Sequence, residues 1–87
     1  MTRSGIMTVL ERMNTLQRMR NKYEDKSNEL YQNGETERSV KMDHKVDLYD
    51  REIDWMKFVL RKLGLDVWFS GERNEYVIPD DDIRRAI

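Results

Sequence analysis

The sequence predicts a small α+β fold, mainly α: an antiparallel two-helix coiled-coil hairpin followed by a short β-hairpin and a C-terminal tail. Three observations predict it. The first 31 residues contain no Pro and only one Gly, and their apolar residues recur every three or four positions. A stricter alternation of four and three runs from Met42 to Leu63, and two β-prone runs follow Gly64. The 87 residues read as one domain.

Helix one is expected over 4–33, with Ile6, Val9, Met13, Leu16, Tyr23 and Leu30 on one face. The stripe thins after Leu16, where Tyr23 is the one apolar side chain between residues 20 and 29, so this distal half should pack weakly. Asn33-Gly34 supplies residues that tolerate the left-handed conformation closing a helix, and Thr36 is placed to cap the next one.

Helix two is expected over 36–63, with Met42, Val46, Tyr49, Ile53, Met56, Leu60 and Leu63 as its seam. A short link forces the helices back on each other, which sets Leu30 near Met42, Tyr23 near Val46 and Tyr49, Leu16 near Ile53 and Met56, and Val9 near Leu60 and Leu63. Each arm should be about 40 Å long at ~1.5 Å per residue.

Gly64 ends the second helix, and a β-hairpin is expected over 66–78. Its strands are Asp66-Val67-Trp68-Phe69 and Glu75-Tyr76-Val77-Ile78, joined by Ser70-Gly71-Glu72-Arg73-Asn74. A two-stranded ribbon is marginal alone and must lie on apolar surface. Pro79 stops the second strand, and in the tail, 79–87, Asp80, Asp81 or Asp82 is placed to cap a closing turn.

Leu48, Trp55 and Phe58 fall opposite the helix-two seam, so one hairpin partner cannot bury both faces and helix two is expected to be central. Either Trp68, Phe69, Tyr76 or Ile78 folds back onto Trp55 and Phe58, or a second molecule covers part of the patch. The expected protein interface is Leu48, Trp55, Phe58, Trp68, Tyr76 and Arg73, since aromatic and Arg side chains contribute most to such contacts. The outer ribbon edge is open to strand addition by another chain.

Composition narrows the function. Charged and apolar residues each make up 38%, and the net charge of −1 nominates no partner class. With no Cys there is neither a disulfide framework nor a thiol nucleophile. No apolar block has the length of a signal peptide or a bilayer span, which leads to the expectation of a soluble cytoplasmic protein. A core this small gains from a partner or a second subunit.

Asp43, Asp47, Asp50 and Asp54 line one flank of helix two, but a straight helix gives a cation no converging ligands, and Lys57 and Arg61 continue the flank in the order the helix dipole favours. His44 follows Asp43, yet adjacent helical residues point about 100° apart. No nucleophile motif, phosphate loop or metal-ligand spacing occurs, so neither an enzyme nor a cofactor is expected. Residues 1–26 carry a net +3, and Arg18, Lys22 and Lys26 share a helical face able to touch phosphates.

The expected function is non-catalytic protein binding by a small adaptor or stoichiometric inhibitor or regulator of a larger machine, of the kind phages and mobile elements encode. The competing expectations are a nucleic-acid-associated regulator using the basic residues of helix one, and a purely structural homodimer.

Overall fold

The computed structural model describes residues 2–87. Its elements are α1 (Arg3–Gln32), α2 (Thr36–Lys62), β1 (Trp68–Ser70), β2 (Glu75–Val77) and α3 (Asp80–Ala86), in a rod measuring 51 × 23 × 16 Å. The helical hairpin is as expected, with both helix boundaries within one residue of the sequence reading. The tail is a short helix rather than a single turn.

Thr2 starts α1, its hydroxyl accepting the Gly5 N–H at 3.0 Å. Thr36 is instead the first helical residue of α2, and Glu35 before it makes no side-chain cap. Both long helices end by the same device. Gly34 N–H reaches Tyr31 C=O and Glu35 N–H reaches Leu30 C=O, while Gly64 and Leu65 repeat the pattern on Arg61 and Leu60. The glycines provide the left-handed turn, with φ +78° at Gly34 and +83° at Gly64, whereas Asn33 stays at −86°. At the second end Leu65 and Leu60 are both buried, the apolar contact that accompanies this motif.

The antiparallel register holds along the rod. Tyr23 stacks on Tyr49 with centroids 5.7 Å apart, and Arg20 Nε donates to Asp50 at 2.9 Å while also pairing with Glu24. Burial works against the Arg20 charge, but the hydrogen bonds and attraction of Asp50 and then Glu24 outweigh it and raise its pKa. Near the tip the contact is polar: Ser27 Oγ lies 2.9 Å from Ser39 Oγ and donates to Asp43 at 2.5 Å, with both serines buried. Leu30 is the large apolar side chain fully enclosed there. Leu63, expected in the seam, is exposed because α2 has already ended and the chain is turning away.

The element on which the others pack is α1, which corrects the expectation of a central α2. α2 packs on one side of α1, and β2 and α3 also pack on α1. The physical reason is that the first half of α1 is apolar over a wide arc. Ile6, Leu10, Met13 and Leu16 are buried in it, and Met7 and Val9 pack against them. After Gly64 the chain turns inward and buries Leu65 and Val67, which leads the ribbon to α1 rather than to the outer face of α2.

Asn14 fixes that docking. Its Oδ1 accepts the Tyr76 N–H at 2.6 Å and its Nδ2 donates to the Tyr76 C=O at 3.2 Å, both within the buried interior. β1 and β2 pair antiparallel, with Trp68 opposite Val77, Phe69 opposite Tyr76 and Ser70 opposite Glu75. Asp82, buried, accepts the Asp66 N–H at 2.9 Å and pairs with Arg85, so it ties α3 to the linker and does not cap its own helix.

Candidate functional site

Because α1 takes one face of α2 and the ribbon lies on α1, the opposite face of α2 has no cover among the described residues. Leu48 is 63% exposed, Trp55 65% and Phe58 51%. The expectation that Trp68, Phe69, Tyr76 or Ile78 folds onto Trp55 and Phe58 is therefore corrected: Tyr76 and Ile78 are buried in the core beside α1. What Trp55 and Phe58 do have is each other, stacked at 5.6 Å one turn apart.

These side chains belong to a second seam. Lys41, His44, Leu48, Arg51, Trp55, Phe58 and Lys62 step by three and four, the spacing that keeps one line along a helix. The C-terminal end of this line is cationic. Lys62 Nζ lies 5.3 Å from the Phe58 ring centre, and an open cleft of about 450 Å³ beside it is lined by Asp54, Lys57, Phe58, Arg61 and Lys62. Lys57 also reaches over the Tyr76 ring at 4.8 Å. Sequence reasoning missed Arg61 and Lys62 as site residues, although their positions three and four after Phe58 place them beside it.

The other expected interface residues divide. Trp68 is 50% exposed and Arg73 is exposed in the ribbon turn, where its N–H donates to Ser70 Oγ at 3.2 Å. Tyr76 is not available to a partner: its ring is buried and meets Phe69 edge-on at 5.2 Å, and its hydroxyl donates to Gln17 at 3.2 Å. The correction follows from Asn14, which pins the Tyr76 backbone inward.

The carboxylate row on α2 is engaged residue by residue. Asp43 meets Ser27, Asp47 pairs with Arg51 at 2.9 Å, Asp50 with Arg20, and Asp54 with Lys57 at 3.7 Å. Among the described residues, no group of three or more His, Asp or Glu side chains is placed to hold a metal ion. His44 is exposed. On α1, Arg18, Lys22 and Lys26 are all exposed. Lys26 pairs with Glu29 at 3.6 Å, Arg18 bonds to Thr15 Oγ1, and Asp25 and Glu29 share the surface around Lys22.

Among the described residues no helix is long and apolar enough to cross a membrane. Comparison with known proteins gives no match, whether to a family model, a curated protein or a solved structure. The surface chemistry alone supports a functional reading.

Proposed function

We propose that the chain is a non-catalytic protein-binding module, a small adaptor or stoichiometric inhibitor, that receives an amphipathic helix of another protein along the outer face of α2. The single observation behind this reading is the exposure of Leu48, Trp55 and Phe58 together on a helix whose opposite face is already occupied by α1. Scattered exposed apolar residues are ordinary, but a line of large ones with Trp at its centre is what a binding face offers. The three-and-four spacing favours a helical partner, since it repeats the geometry by which α1 and α2 already pack. Lys41 and Lys62 at the ends of the line favour acidic flanks on that partner.

The test compares affinity capture from the source cell by the natural chain and by a Trp55→Asp, Phe58→Asp double variant, whose folded state circular dichroism verifies. The natural chain should retain a protein that the variant loses. Retention of the same proteins by both would reject the α2 face. Light scattering of the purified chain separates a foreign partner from a second copy: a mass near 10.6 kDa fits the former, and a doubled mass that Trp55→Asp abolishes would put a homodimer in its place.

A further inference from the structure

The geometry points to a second docking site, the outer edge of β1, which accepts an extended acidic peptide as a third strand of the ribbon. It uses a backbone edge distinct from the apolar line on α2 and shares with that face the cations Arg61 and Lys62.

β2 has no free edge at its centre, because the Asn14 side chain occupies both the N–H and the C=O of Tyr76. Those groups therefore point away from β1. In an antiparallel ladder, pairs that exchange hydrogen bonds alternate with pairs that do not, so Phe69 and Tyr76 form a non-bonded pair between Trp68–Val77 and Ser70–Glu75. It follows that the N–H and C=O of Phe69 point outward from β1. Among the described residues no backbone group from another element meets them. Among the described residues no side chain hydrogen-bonds to them either, and Phe69 as a residue is 41% exposed, which leaves this donor and acceptor to an incoming backbone.

Charge selects the occupant. Arg61 Nη2 donates to the Val67 C=O at 3.1 Å, two residues before Phe69, which brings its guanidinium to the start of that strand. Residues 57–69 carry Lys57, Arg61 and Lys62 against Asp66. Lys57 already meets Asp54, whereas Arg61 meets a carbonyl and Lys62 an aromatic ring. A second copy of β1 would bring its own Arg61 and Lys62 against these cations. An acidic strand instead supplies the carboxylates they lack. Phe69 and Tyr76 face the helices and Trp68 faces the other way, so carboxylates on the helix side should alternate with apolar residues against Trp68.

The probe is a fluorescein-labelled peptide of alternating Glu and Val, titrated into the full chain and read by anisotropy, with amide hydrogen exchange followed at Phe69. Saturable binding is expected, weakened roughly tenfold or more by Arg61→Gln with Lys62→Gln, which removes both cations. Methylating alternate peptide nitrogens should abolish it, and Trp55→Asp should leave it unchanged. The Phe69 amide should exchange freely in the unliganded chain and slow when the peptide is added. Absence of saturable binding, equal binding of a Lys–Val peptide or of the methylated peptide, or a Phe69 amide already protected without peptide would overturn the assignment. The exchange measurement uses the natural chain, so the outcome does not depend on how well the variant folds.

Discussion

Asn14 holds Tyr76 as a neighbouring strand would, giving one acceptor and one donor to the backbone of a residue 62 positions away. A side-chain amide carries the same pair of groups as a peptide unit, so α1 completes the inner edge of the ribbon without being a strand. Asn14→Ala leaves both Tyr76 groups buried and unpaired, and it should cost about 2–4 kcal/mol in urea unfolding. A loss below about 0.5 kcal/mol, in the range of an ordinary surface substitution, would show that the clamp is not what holds the ribbon.

The two faces of α2 should respond very differently to truncation. Ile53 is enclosed between the helices, and Ile53→Ala should cost about 2–5 kcal/mol through lost burial and the cavity left behind. Trp55→Ala removes a larger side chain but only its stacking on Phe58, so about 1 kcal/mol or less is expected. Thermal melts of the two variants side by side check the contrast, and a Trp55→Ala chain as unstable as Ile53→Ala would mean that the outer face is covered after all.

Gly64 turns the chain inward at φ +83°, and a Cβ built there meets nothing within 4 Å. Gly64→Ala therefore pays only for the left-handed backbone, about 1–2 kcal/mol, and Gly64→Asn should recover part of that. Equal stability of the Ala and Gly chains would indicate that the linker relaxes into another conformation.

The basic face of α1 calls for a salt titration. Lys26 is paired with Glu29, and Asp25 and Glu29 share the surface around Lys22, so retention on mixed DNA and RNA should be weak and unaltered by Arg18→Glu with Lys22→Glu. Strong retention that falls steeply with salt and disappears in that variant would make nucleic acid the partner.

The sequence carried the hairpin clearly where one face had to be apolar at fixed spacing. Tyr23 against Tyr49 follows from the heptad steps of α2 and a tight Asn33-Gly34 link. The side on which the ribbon docks was hidden for two reasons. Leu10 lies off the narrow stripe of Val9, Met13 and Leu16, so α1 looked one-sided. Asn14 is polar and reads as solvent-facing until its backbone partner, far along the chain, is known. The large side chains of α2 suggested the opposite choice, because the amount of apolar surface is visible in a sequence while the direction of a linker after Gly64 is not. Arg61 and Lys62 were legible by spacing from Phe58, but only after Phe58 itself proved to be uncovered.

The unequal lining of the rod sets where it opens. The ribbon, α3 and the broad apolar arc of α1 all sit at one end, whereas Ser27, Ser39 and Leu30 fill the other. Thermal fluctuations should therefore unwind the helical turns on either side of the loop at Gly34 first, where little apolar surface is enclosed, and leave the ribbon seated until the whole molecule unfolds.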